Sequence, residues 1–207
     1  MTTHSDLSKI SKISNNIYLS GIFPMEEDYS QIKKLNIKYI LSCVDRKYVS
    51  DVHDKIMSDN PDLTILYIPY NDDISQNLWE KNNSSINIVK YSASIEQFNS
   101  LLSQYTNYQH KPMIEIAYHF INKATTEGEN ILVHCMAGIS RSVSMLTYYY
   151  MKKYNLTYDY VIQNIKTYRS IANPNDSFKA QLKYFYKKKD KFTESDAIKI
   201  INHLKYN

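Results

Sequence analysis

Residues 134–142 read His-Cys-Met-Ala-Gly-Ile-Ser-Arg-Ser, with a cysteine and an arginine separated by five small or uncharged residues. The apolar run Asn130–His134 leads into this stretch, and a helix-like run, Ser142 to Tyr154, leads out. A strand, a tight loop and a helix start therefore meet around the thiol of Cys135. Backbone N–H groups in such a loop, together with a helix N-terminus, form an anion site. Arg141 adds a planar fork able to grip two phosphate oxygens, a geometry that a lysine cannot supply. A free thiol, with a pKa of about 8.5, is only a few per cent thiolate at neutral pH, and a positive field of this kind favours the charged form. These residue types at this spacing can bind a phosphate and attack it with sulfur.

Cys135 is the expected nucleophile, forming a phosphocysteine intermediate. Arg141 binds the phosphoryl oxygens and stabilises the charge that spreads over them in the transition state. Met136, Ala137, Gly138, Ile139 and Ser140 are expected to offer mainly backbone N–H groups to the phosphate. The chain has only three glycines, so one inside this loop points to a backbone conformation barred to other residues. His134 orders the loop, since an ionised thiol needs no base. Cys43, at the end of an apolar strand with no matching arginine, reads as core packing.

The stretch resembles the Cys-x5-Arg signature of the cysteine-dependent protein phosphatases, and more closely the dual-specificity branch that includes the poxviral enzymes. Ala-Gly after the cysteine and Ser-Arg-Ser at the end are that branch's form. Three further segments resemble the same family: Ile17-Tyr18-Leu19-Ser20-Gly21, Ile68-Pro69-Tyr70-Asn71-Asp72, and Arg169 to Leu182 with Pro174, Asn175, Phe178 and Gln181. The likeness spans roughly residues 14–72 and 112–186.

The resemblance implies a phosphoprotein phosphatase acting on phosphotyrosine and on phosphoserine or phosphothreonine, with a fold like that of the protein tyrosine phosphatases. It supports a role for Ser142 in hydrogen-bonding the sulfur and easing its departure, against a helix-start serine making only a local bond. It favours Asp72 as general acid, a role worth about 10²–10⁴ in rate. The adjacent Asp73 is the alternative, and both could instead be turn residues. Arg169 and Asn175 are read as structural supports. An RNA 5′-triphosphatase uses the same loop chemistry, but it would favour more basic residues beside the loop. A catalytically dead phosphate-binding module would have lost the thiol, the arginine or the acid, and all three are present. No cofactor is implied, and the six histidines show no ligand spacing with a cysteine.

The elements that must position this chemistry are legible as alternating patterns. Apolar strands are expected at Ile17–Gly21, Ile37–Cys43, Thr64–Tyr70 and Ile131–Cys135. Helices are expected at Glu26–Leu35, Val52–Met57, Met113–Lys123, Ser142–Tyr154, Tyr158–Arg169, Asp176–Lys188 and Glu194–Leu204, with Asp176 and Thr193 as N-caps. Such alternation predicts a single α/β domain around a mostly parallel sheet of about four to five strands, flanked by helices. Residues 1–13 are expected to form an N-terminal arm, residues 14–190 the phosphatase domain, and residues 191–207 a C-terminal helix packed on or beside it. Asp72 and Cys135 stand about twice as far apart as the resemblance implies. Residues 74–110 are therefore read as an insertion, expected to be helical over Ile86–Tyr105 from the spacing of Ile88, Ser92, Ile95 and Leu102. It either shapes substrate access or is a tolerated surface excursion.

With 207 residues, 43% of them hydrophobic, the chain is long enough for one full core. No apolar run approaches the ~18–20 residues of a membrane span, and the N-terminus lacks the apolar segment of a signal peptide. Two cysteines give no disulfide framework. A reducing, cytoplasmic location, with the nucleus also open to it, is therefore expected. The net charge of +4 is mild, and the Lys187–Lys191 run reads as a solvated helix end. The partner that the resemblance implies is phosphorylated protein; no membrane contact is expected, and nucleic acid enters only as the RNA 5′ end of the triphosphatase alternative.

Overall fold

A computed structural model describes residues 4–81, 86–90, 96–97, 100 and 111–206. Six strands form one sheet: β1 (Ser11–Lys12), β2 (Ile17–Ser20), β3 (Ile37–Ser42), β4 (Thr64–Tyr67), β5 (Asn87–Lys90) and β6 (Asn130–His134). Their order across the sheet is β1-β2-β6-β3-β4-β5. The central four are parallel, β2 and β3 flanking β6, and β4 lying beside β3. Both edges, β1 on β2 and β5 on β4, are antiparallel.

The sequence explains why β6 lies in the middle. Its Ile131, Leu132 and Val133 are fully buried, as are Leu19, Ile40 and Leu41 on the neighbouring strands. A strand with apolar side chains on both faces needs cover on both faces. Short helix α1 (His4–Leu7) precedes β1, α2 (Phe23–Glu27) and α3 (Gln31–Lys34) lie between β2 and β3, and α4 (Ser50–Asp59) follows β3. The longer cover comes from α5 (Met113–Thr126), α6 (Arg141–Tyr154), α7 (Tyr158–Tyr168) and α8 (Asp176–Lys188). Helix α5 buries Ile114, Ala117, Phe120, Ile121 and Ala124, the stripe of a core-facing helix. Helix α9 (Glu194–Tyr206) packs against α8, burying Ala197 and Ile201. No helix among the described residues is long and apolar enough to cross a membrane.

Several expectations need correction. The sheet has six strands, not four or five, because the segments read as an arm and as an insertion each add an edge. Ser11–Lys12 is too short to show a period, yet its residues pair with Leu19 and Tyr18. The expected helix at Ile86–Tyr105 is overturned at Asn87–Lys90, which pairs with Thr64–Tyr67. There Ile88 is buried while Asn87 is exposed, so a short strand lay hidden under a longer helical spacing. Most of the remainder of that expected helix, including Ser92, Ile95 and Leu102, lies outside the described residues. At the neck of the excursion an antiparallel bridge joins Lys81 and Pro112.

The expected helix Glu26–Leu35 is divided between α2 and α3. Asp28 accepts bonds from the amide and the hydroxyl of Ser30, a local competition that interrupts helices. Strand β4 stops at Tyr67, two residues before Pro69, which has no N–H to continue a ladder. The cap of α8 is Asn175, not Asp176: Asn175 Oδ1 accepts from the Phe178 amide at 2.9 Å. Thr193 stands before α9, its hydroxyl accepting from the Asp196 amide while the Asp196 carboxylate accepts from the Thr193 amide.

Replacing Leu132 with alanine leaves a cavity in the central strand. A loss of about 2–5 kcal/mol in urea unfolding is expected. A loss well under about 1 kcal/mol would show that the sheet core repacks freely at this position.

Candidate active site

Strand β6 ends at His134, and Cys135 opens the loop that runs to the start of α6 at Arg141. The thiol therefore stands at the carboxyl end of a central parallel strand, where open α/β sheets place their ligands. It is 1% exposed. Two donors point at its sulfur: the Gly138 amide at 3.2 Å and the Ser142 hydroxyl at 3.2 Å. Both are placed to stabilise negative charge on that atom.

The shape of the loop is set through its carbonyls. The Ile22 amide donates to Met136 O at 3.0 Å and the Asn173 amide to Ile139 O at 2.7 Å. Between them, Arg169 Nη2 donates to Ala137 O at 2.9 Å and its Nε to Gly138 O at 2.7 Å. Four successive carbonyls are thus tied back to the scaffold. In planar trans peptides the following N–H groups point the other way, so the amides of residues 137–140 face the inside of the loop. Gly138 has φ +67°, and a Cβ there would lie 2.4 Å from the backbone of Ser20. Only glycine serves where the chain is both left-handed and pressed against a neighbouring strand. At Gly21 a Cβ would lie 2.6 Å from the Met136 carbonyl.

Asp72 sits on the loop that follows β4. Its Oδ1 accepts from the Ser140 hydroxyl at 2.6 Å and from Asn175 Nδ2 at 3.0 Å. Its Oδ2 lies 3.7 Å from Arg141 Nε. Arg141 Nη1 donates to the Tyr70 carbonyl at 3.2 Å, while its Nε is buried without a hydrogen-bond partner. Asp73 instead closes its own turn, accepting from the amide and the hydroxyl of Ser75. The Ser75 hydroxyl holds the Asp73 carboxyl below its ordinary range.

Cys135, Arg141, Ser142 and Asp72 are all gathered around this one loop. Sequence reasoning gave Ser140 mainly a backbone role and left Asn175 as a support. Each also binds Asp72 through its side chain, and Asn175 caps α8 with the other end of the same amide. The legible signal was the Pro-Asn pair before a helical run, which marks a cap but not a partner 103 residues away. Cys43 lies wholly in the core, and burial pushes its thiol well up. Among the described residues no group of three or more His, Cys, Asp or Glu could hold a metal ion.

Behind the thiol, His134 Nδ1 lies 3.3 Å from the Cys135 carbonyl. Its ring meets that of His53 edge to face at 5.0 Å, and His53 Nδ1 lies 2.9 Å from the Tyr67 hydroxyl. Burial lowers His134 to about 4 and holds His53 well below the ordinary histidine range. Both rings are neutral at pH 7.

A thiol in a loop of inward amides at the end of a central strand, with an arginine opening the next helix, is the arrangement expected of a phosphate-ester site. Comparison with known proteins points the same way. The profile of the dual specificity phosphatase catalytic domain matches residues 17–188. The chain belongs to that family. The R622 protein of Acanthamoeba polyphaga mimivirus, by its name a candidate tyrosine-protein phosphatase, is 61% identical over 206 residues, covering 100% of this chain and 97% of that protein. Dual specificity protein phosphatase 22 of Xenopus laevis is 29% identical over 178 residues, 86% of this chain and 65% of its own length. Among solved structures, that of DUSP15 aligns with a TM-score of 0.58 and 25% identity, over 95% of this chain and 94% of that one. The chain is accordingly a protein phosphatase of the dual-specificity class.

The two buried imidazoles predict a pH dependence of stability. Their folded-state pKa values lie below the unfolded value of about 6.5, so the unfolded chain binds more protons as pH falls. The stability associated with a neutral His134 is complete above about pH 6.5 and is lost as pH drops toward its folded value of about 4. The urea midpoint should fall across this window, and His53→Phe should flatten the fall. An unchanged pH profile in that variant would show that His53 takes no part in it.

Proposed function

We propose that this protein hydrolyses phosphotyrosine and phosphoserine or phosphothreonine in proteins through a phosphocysteine intermediate. The observation that carries the reading is the sulfur of Cys135, which accepts from both the Gly138 amide and the Ser142 hydroxyl in the loop closed by Arg141. The substrate phosphate lies in the loop against the inward amides and the Arg141 guanidinium. Cys135 Sγ attacks phosphorus, an S–P bond forms, and the P–O bond to the side-chain oxygen breaks. Asp72 gives that oxygen its proton. Water then attacks phosphorus, Asp72 takes up its proton, and the S–P bond breaks while the Ser142 hydroxyl stabilises the departing sulfur. Arg141 holds the equatorial oxygens through both steps.

Two features support Asp72 over Asp73 as the acid. Asp72 lies against the phosphate loop through Ser140, whereas Asp73 is held ionised by its own turn. The loop interior from Met136 to Ser140 carries no cation, and Met136 is exposed on it. A loop interior without a cation supports a monoester on protein over the triphosphate end of an RNA.

Cys135→Ser should abolish phosphate release while phosphopeptide binding survives; substantial turnover in a pure preparation would reject the phosphocysteine. Asp72→Asn should lower kcat on a phosphotyrosine peptide by about 10²-fold or more. Its effect on an ester with a strongly acidic leaving group should be much smaller. The same pattern from Asp73→Asn, without it from Asp72→Asn, would move the acid by one residue. Triphosphorylated RNA hydrolysed faster than phosphopeptide would favour the triphosphatase.

A further inference from the structure

Behind Asp72, the chain from Asn71 to Glu80 lies outside any helix or strand, yet its backbone is fixed. Gln181 of α8 is fully buried and directs its amide at this loop. Its Oε1 accepts from the Leu78 amide at 2.9 Å, and its Nε2 donates to the Gln76 carbonyl at 3.0 Å and to Ser177 Oγ at 3.0 Å. Gln76 passes the constraint on: its Oε1 accepts from the Asn71 amide at 2.9 Å, directly before Asp72. The far end of the loop is seated by Trp79, whose ring lies among those of Tyr148, Phe185 and Phe192.

We propose that Gln181 is a positioning residue for the general acid, holding the Asp72 loop on the phosphate loop by a relay through Gln76. The inference rests on the reading of Asp72 as that acid. A buried amide with both polar atoms engaged selects one backbone arrangement, because alternatives strand donors and acceptors away from water. The start and the middle of α8 thus divide the task. Asn175 at its N-cap binds the Asp72 side chain, and Gln181, further along the helix, binds the main chain of the same loop.

The test compares Gln181→Met with the parent on a phosphotyrosine peptide and on an aryl phosphate with a strongly acidic leaving group. Loss of acid positioning should lower kcat on the peptide by about tenfold, with KM little moved and the activated ester changed less than about twofold. In the Asp72→Asn background, Gln181→Met should add nothing on the peptide. Equal losses on both substrates in a folded variant, or no loss at all, would overturn the proposal. Should Gln181→Met fail to fold, Gln76→Leu breaks the relay from the loop side. The same selective loss there supports the proposal, and a uniform loss or none overturns it. Asp72→Asn alone keeps the two ideas apart. If it shows no leaving-group dependence, the acid reading fails. Acrylamide quenching of Trp79, the single tryptophan, then decides the clamp: greater quenching in Gln181→Met supports it, and unchanged quenching overturns it.

Discussion

Backbone amides can face an anion only if the carbonyls on the opposite edges of their peptides have partners elsewhere, since unpaired buried acceptors are costly. In the loop from Cys135 to Arg141 four carbonyls are anchored in this way. Arg169 supplies two of the partners from a buried position, and the Ile22 and Asn173 amides supply the others. Its remaining guanidinium nitrogen, Nη1, donates to the Lys9 carbonyl at 2.9 Å. The N-terminal segment, the Cys135–Arg141 loop and the turn after α7 are therefore held by a single side chain. A lysine could not do this, because three separated carbonyls require a rigid fork with several donors. Burial lowers the Arg169 pKa from its ordinary value, and the three carbonyls compensate the charge by direct hydrogen bonding.

A similar sharing of partners governs Asp72. It touches Ser140, Asn175 and Arg141, residues that come from the loop, from the cap of α8 and from the start of α6. The Asn175 backbone amide also donates to Ser140 Oγ at 3.1 Å, which makes a closed circuit of Asp72, Ser140 and Asn175. Such a circuit holds its members more firmly than separate bonds would, because each fixes the orientation of the next. The geometry of the site is thus shared between a rigid loop on the central strand and a longer segment pinned from behind by a helix.

The segment between Asp72 and α5 is built into this framework at its base. One part of it completes the sheet as β5, and its neck closes where Lys81 meets Pro112. The Met113 amide donates to the Glu80 carbonyl at 2.8 Å, so the returning chain enters α5 directly from the end of the segment that bears Asp72. Loop-closure entropy rises only slowly with length, so added residues are tolerated once the two ends are fixed together.

The loop from Cys135 to Arg141 and the central strands were legible from the order of residues alone. Cys135, Gly138 and Arg141 are separated by a few residues along the chain, and local spacing places them on one turn. The apolar runs of β3, β4 and β6 likewise announce a sheet covered on both faces. Edge strands were not legible. Ser11–Lys12 has too few residues to show a period, and Asn87–Lys90 takes its conformation from its partner β4. Nor could the sequence show that the Ser140 hydroxyl, the Asn175 amide and the Gln181 amide turn toward the segment bearing Asp72. Those contacts join residues 68 to 105 positions apart. Local periodicity records which face of an element is apolar. It does not record which distant backbone group will lie opposite a buried polar side chain, and that is settled only when the helices close over the sheet.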